Sequence, residues 1–345
     1  MDYSFPHYLL SKQSVDDRAL NKDVLSALKA GLPGMPLTII EVGGGIGTML
    51  ARLLRWEVIA QANYTLVDEM AENIAFAREW LPQWAQENRL EAEVVSETEL
   101  RLFDAQRFDC APPCGDRQHR REVRAHLVQA DVFDFIARRP APADLLIAHA
   151  FLDLLPMPGS LAPLLSLTRD LAWLTLNFDG VTTFAPSLDP DLDAVIERLY
   201  HETMDTRPSG GDSRSGRNLF GHLEQAGARI EAAGASDWVV YPRSGQYPAK
   251  EAYFLQFILH FFEQSLGSHP SLEQAVFADW LEKRRGQVTR GELVYIAHQM
   301  DFLVKSVHAK VVKPSADDAD SRGFFQTFLR NLRNLWIFLV IADNF

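Results

Sequence analysis

The chain has 345 residues, 47% of them hydrophobic, and a formal net charge of −12 at pH 7. That content is enough to bury one large core or two modest ones, and the acidic balance argues against broad binding to nucleic acid or anionic membranes. No stretch is apolar for long enough to span a bilayer, and the polar, aromatic start lacks the apolar centre of a cleavable signal peptide.

Residues 1–36 read as an N-terminal helical segment. Thr38-Ile39-Ile40-Glu41-Val42 is an apolar run carrying one acid, Gly43, Gly44, Gly45 and Gly47 follow, and helical spacing begins at Met49, Leu50, Leu53 and Leu54. A buried strand, a tight turn and a helix start are expected there, with glycines that let the backbone pass close to a ligand. A dinucleotide fingerprint, Gly-x-Gly-x-x-Gly or Ala, would put its third small residue at Thr48, which is β-branched. The pattern Glu-x-Gly-x-Gly-x-Gly is met at every position by Glu41, Gly43, Gly45 and Gly47.

That motif resembles the first motif of class I, Rossmann-like, S-adenosylmethionine-dependent methyltransferases. The resemblance covers roughly residues 20–312, with the glycine turn its most specific part. It implies that the turn wraps the methionine portion of the cofactor, with Glu41 helping to hold the ammonium; a carboxylate suits a cation and would repel a pyrophosphate. Tyr64–Asp68 reads as a second strand whose terminal Asp68 is placed for the ribose hydroxyls, with Glu69 adjacent and Met70 beside the adenine. A third strand runs towards Asp131. The resemblance implies that Asp131 bonds the adenine amine and that Val132 lies along the ring, although Asp131 also suits a helix cap.

The fourth strand, 143–153, carries His149 and Asp153 towards the transferable methyl group, and a fifth spans 171–179 with Asn177 near its end. Strands at 229–241 and 292–304 fit the reversed final pair of the family. The expected fold is therefore α/β, a doubly wound, mostly parallel seven-stranded sheet with an antiparallel last strand. The methyltransferase domain spans 37–312.

Insertions decorate this plan. Residues 90–103 read as an extra strand or hairpin, joined to the third strand by a polar loop. Cys110, Cys114 and His119 in that loop are too few for a closed zinc site, so no metal is expected. Residues 180–217 and 242–290 leave the carboxyl edge of the sheet and are expected to cap the crevice. Tyr200, His201, Arg214, Arg217 and Tyr253 within them, together with Asn177, are the candidate substrate residues. Ala252–Phe262 is apolar on nearly every helical face, suited to a cap centre, a hydrophobic pocket wall or a homodimer interface. A linker at 313–321 leads to an amphipathic helix over 324–341, too short to span a membrane.

The sequence thus implies methyl transfer from S-adenosylmethionine to a small, partly apolar molecule. His149 is the candidate base and Asp153 its orienting partner. A cofactor-binding regulatory protein without turnover is the alternative, and an NAD-dependent dehydrogenase comes third. No nucleic-acid or membrane partner is expected, and few cysteines without a targeting signal point to the cytoplasm.

Overall fold

The computed structural model describes residues 3–104, 120–207 and 210–306. The loop holding Cys110, Cys114 and His119, and the tail helix expected over 324–341, lie outside them.

Three short helices open the chain: α1 (Phe5–Ser11), α2 (Gln13–Ala19) and α3 (Lys22–Gly31). Then come β1 (Leu37–Val42), α4 (Thr48–Arg55), β2 (Gln61–Asp68), α5 (Ala71–Glu87), the hairpin β3 (Leu90–Ser96) and β4 (Glu99–Asp104), and β5 (Glu122–Gln129). The middle of the chain forms α6 (Val132–Ala137), β6 (Ala143–His149), α7 (Leu161–Leu165) and β7 (Thr168–Ala185). It continues with α8 (Pro190–Asp205), α9 (Ser215–Gln225), β8 (Ala228–Ala235), β9 (Trp238–Val240), α10 (Glu251–Leu266), α11 (Gln274–Thr289) and β10 (Val294–Ser306).

All strands join one sheet in the order β3-β4-β5-β2-β1-β6-β7-β10-β8, with β9 also paired to β10. From β5 to β7 the pairing is parallel, and β10 enters antiparallel between β7 and β8. Among the described residues ten strands replace the seven expected. The β3–β4 hairpin extends the sheet beyond β5. The single strand expected over 229–241 is broken in two at Ser236 and Asp237, although β8 and β9 keep the same register on β10 either side of the break. The fifth strand outruns its expected end at 179, since Val294–Ala297 of β10 supplies partners as far as Ala185.

The central strands are apolar on both faces because both are covered. Alternate residues go to opposite sides: Ile39, Leu145, Ile147 and Trp173 meet α1–α5, α8, α10 and α11, whereas Ile40, Leu146, Ala148 and Leu174 meet α6, α7 and α9. Phe184, on the extension of β7 and β10 past the carboxyl edge, packs edge-on against Phe262 and Trp280 and tilted against Tyr295. This extension carries α8, α10 and α11. A buried ion pair ties the last of these to the first: Arg284 donates to Asp193 at 2.6 Å, and the Trp280 indole donates to the same oxygen at 2.6 Å. The all-round apolar character of α10 follows from its position between α1, α8 and α11. Among the described residues, no helix is long and apolar enough to cross a membrane.

Candidate functional site

A pocket opens at the carboxyl ends of four adjacent strands. Asp131 and Val132 line it after β5, Asp68, Glu69 and Met70 after β2, Glu41 with Gly43, Gly44 and Gly45 at β1, and His149 after β6. The candidate cofactor residues are therefore gathered in one cleft. Gly47 stands just behind them, N-capping α4 at φ 84°.

The turn itself takes the left-handed conformation at Gly43 (φ 62°) and Gly45 (φ 55°), where glycine is unstrained. Sequence reasoning expected these glycines to make room for a ligand. The room beside them is used by the chain: a Cβ on Gly43 would strike the ring of Phe151, and one on Gly45 would lie 2.8 Å from Leu9. Leu9 comes from α1, which lies over the turn and also contributes Phe5 to the lining, with Lys12 just past its end.

Glu41 is almost wholly buried, and its Oε2 accepts one bond, from the Tyr64 hydroxyl at 2.6 Å. Burial pushes its carboxyl up to about 8, partly opposed by the Tyr64 bond. Asp68 accepts from the backbone N–H of Gly45 at 2.8 Å and Met70 at 2.9 Å, and from the Asn73 amide at 3.0 Å. It therefore fixes the glycine turn whatever else it binds. Asn73, which sequence reasoning missed, lines the pocket with a buried Oδ1 that has no partner. Asp131 caps α6, accepting from Phe133 N–H at 2.8 Å and Asp134 N–H at 3.0 Å, both on Oδ1. Burial, then the charges of Asp131, Asp68 and Asp134, raise the Glu69 carboxyl.

His149 departs from expectation. Its acidic neighbour is Asp16 of α2, with Nε2 to Oδ2 at 3.1 Å, while Nδ1 meets the Thr175 hydroxyl at 2.8 Å. Burial lowers the imidazole to about 4 despite Asp16. Asp16 itself is held well below the usual carboxylate range: burial would raise it, but Lys12, the His149 bond and Arg52 outweigh that. With Asp16 ionised, Nε2–H donates to it and Nδ1 accepts from Thr175. A neutral ring bonded at both nitrogens has no lone pair left for a proton from an acceptor, so His149 is a positioning group as it stands. Asp153 is half-buried and does not touch His149; its Oδ1 is buried without a partner. Ala150, next along, is held at φ 51° by a bond from its N–H to Thr175 O at 2.8 Å.

None of the candidate substrate residues lines the pocket. Asn177 is buried and donates to Leu174 O and Met300 O, a bulge-holding role. His201 bonds Thr182 at 3.0 Å. Arg217 is exposed and pairs with Asp179 at 2.8 Å, and Arg214 is exposed beside it. The Tyr253 hydroxyl accepts from Ser4 N–H at 3.1 Å. Tyr200 stacks on Phe262 with ring centroids 3.8 Å apart. The insertions over 180–217 and 242–290 contribute nothing to the lining, whereas α1, which packs on α10, contributes Phe5 and Leu9. Tyr8 of α1 stacks on Phe257 of α10 at 4.5 Å.

No family model and no curated protein sequence matches the chain. Among solved structures, it is similar to a SAM-dependent methyltransferase from Thiobacillus denitrificans in complex with S-adenosyl-L-homocysteine, at 11% identity and a TM-score of 0.44, over 89% of this chain and 100% of that one. It is also similar to YjhP of Escherichia coli (11%, 0.42, 87% and 99%) and to the cyclopropane synthase MmaA2 of Mycobacterium tuberculosis (11%, 0.38, 87% and 96%). Likeness at this level says nothing of chemistry. The strand order does speak to the fold: five parallel strands β5-β2-β1-β6-β7, then an antiparallel last strand inserted before the sixth. The chain has the class I S-adenosylmethionine-dependent methyltransferase fold.

Proposed function

We propose that the chain is an S-adenosylmethionine-dependent methyltransferase acting on a small, partly apolar molecule. The observation that carries this is the charge of the cleft. Among the described residues Glu41, Asp68, Glu69, Asp131 and Asp134 line it, against Lys12 as the one cation. Such a set opposes a pyrophosphate and suits a cationic ligand with an adenosine. Glu41 fits the ammonium in particular: a carboxyl pushed up to about 8 by burial gains a counter-charge and returns to its ionised form. Asp68 would hold the ribose, and the second oxygen of Asp131 the adenine amine, with Val132 and Met70 beside the ring. Thr48, where a dinucleotide site has Gly or Ala, weighs further against NAD.

When bound, the cofactor supplies a sulfonium methyl group open to in-line attack. The protein's own share is alignment and exclusion of water. Phe5 and Leu9 of α1 and Phe151 after β6 close apolar surface over the turn, and Asp16–His149–Thr175 ties α2 to the ends of β6 and β7. For the acceptor, the supporting feature is a group of buried tyrosines, Tyr8, Tyr200 and Tyr295, among Phe254, Phe257 and Phe262. No hydrogen bond within the described residues reaches their hydroxyls, and burial raises all three, with Tyr295 and Tyr200 adding to the rise at Tyr8 and Tyr200 to that at Tyr295. Nearer the cofactor, the apolar lining of Phe5, Leu9, Phe151, Leu154 and Leu155 suits a small acceptor with one or two polar atoms.

Calorimetry with S-adenosylmethionine, S-adenosylhomocysteine and NAD tests the reading. Binding of the first two and not of NAD is expected, and binding of NAD alone overturns it. Cofactor binding with no transfer to any acceptor in a broad panel would favour the regulatory alternative.

A further inference from the structure

We infer that Lys12 holds the carboxylate of the cofactor's methionine portion, across from Glu41 on its ammonium. The inference rests on the S-adenosylmethionine reading above. A zwitterionic amino-acid tail needs a cation and an anion within a few ångströms of each other, and among the described residues Lys12 is the only cationic side chain lining the cleft. The other charged groups there are carboxylates, and His149 is neutral.

Its place along the cleft fits. The sheet order β5-β2-β1-β6 sets Asp131 and Asp68 at one end of the pocket, Glu41 in the middle and His149 at the other end. Lys12 Nζ lies 3.2 Å from Asp16 Oδ2, and the same oxygen lies 3.1 Å from His149 Nε2. Lys12 therefore sits at the β1–β6 end with Glu41, away from the adenine side.

Charge balance gives the second argument. Asp16 already receives the His149 ring and the Trp238 indole, at 2.9 Å, and Arg52 approaches it at 3.8 Å. Arg52 and Arg55 both pair with Asp17. Lys12, Arg52 and Arg55 thus face Asp16 and Asp17, an excess of one positive charge in a corner where Lys12 is buried. The other acid acting on Lys12 is Asp153, whose carboxyl burial drives towards the neutral form. An ammonium has three N–H groups, and Asp16 occupies one of them. A bound carboxylate completes both the geometry and the charge.

The test compares two ligands that differ only at this end: S-adenosylhomocysteine, and 5′-methylthioadenosine, which keeps the nucleoside sulfide and lacks the amino acid. Calorimetric titrations use wild type, Lys12→Met and Lys12→Arg. Lys12→Met is expected to lose about tenfold to a hundredfold in affinity for S-adenosylhomocysteine, the usual size of a charge-assisted bond, and to keep its affinity for methylthioadenosine. Lys12→Arg should retain most of both. Equal loss for the two ligands in Lys12→Met would place the role of Lys12 in the packing of α1 and overturn the inference, as would an unchanged affinity for S-adenosylhomocysteine. Wild type that binds neither ligand would instead remove the cofactor reading itself.

Discussion

Glu41 couples ligand binding to proton release. With a midpoint at about 8 in the folded chain against 4.5 for a free carboxyl, the ligand-free group is about 90% protonated at pH 7. A cationic ligand that needs the carboxylate must expel that proton, at a cost of about 1.4 kcal/mol at pH 7 and about 2.7 kcal/mol at pH 6. Affinity for S-adenosylhomocysteine is therefore expected to rise about tenfold from pH 6 to pH 7 and to level off above pH 8, with close to one proton released per ligand at pH 6. Calorimetry in two buffers of different ionisation heat reads both quantities. Glu41→Gln should flatten the pH profile and weaken binding about tenfold to a hundredfold at pH 8, where wild type carries the full charge. The same substitution should raise the Tm of the ligand-free protein at pH 8. Between pH 4.5 and 8 the folded wild type keeps a proton that the unfolded chain has lost, so its stability falls as pH rises through that window, whereas glutamine is indifferent to pH. A flat affinity profile in wild type with no proton release would refute the assignment of Glu41 to a cation.

The Asp16–His149 pair gives the opposite pH sign. Both groups are lowered on folding, so the unfolded chain binds more protons and stability is lost as pH falls, first through the window from 6.5 to about 4 for His149 and then below 3.8 for Asp16. Amide exchange in residues 5–19 should accelerate in that range before exchange in β1 and β2; uniform acceleration would show that the helices are not separately latched. Gly45→Ala combines left-handed strain of about 1–2 kcal/mol with the Leu9 collision. Adding Leu9→Ala should recover part of the loss in a double-mutant cycle of denaturant midpoints, and strict additivity would deny the contact. Asp193→Ala strands Arg284 as a buried, unpaired charge and is expected to cost about 3–5 kcal/mol of unfolding free energy with S-adenosylhomocysteine affinity unchanged.

The parallel core was legible because each strand is a short apolar run ending beside a polar group, and such ends meet at one edge of the sheet. The glycine turn was legible for the same local reason. The closing wall of the site was not. Asp153, near His149 in sequence, was the natural partner to choose, yet the acid that reaches the ring is Asp16, 133 residues away. Nothing in α1 or α2 marks them as pocket walls; Leu9 acquires that role beside Gly45, and Lys12 beside the Asp16–His149 pair. Connection rules lead the insertions over 180–217 and 242–290 to the carboxyl edge of the sheet, but do not say which layer touches the ligand. Arg217 and Asn177 read as binding residues until Asp179 and the bulge in β10 claimed them.

The seating of α1 and α2 bears on how the protein is made. Ser4 meets Tyr253, Asp16 meets Trp238, Arg18 meets Glu251, and the N–H of Asn21 donates to Asp301 at 2.8 Å. These helices thus have their berth built from segments synthesised 222–280 residues later. A nascent chain that has completed β1, β2 and the glycine turn still lacks the wall carrying Leu9 and Lys12, which waits on β10. Cofactor affinity should therefore arrive late and all at once in synthesis, and such long-range closure makes for slow folding.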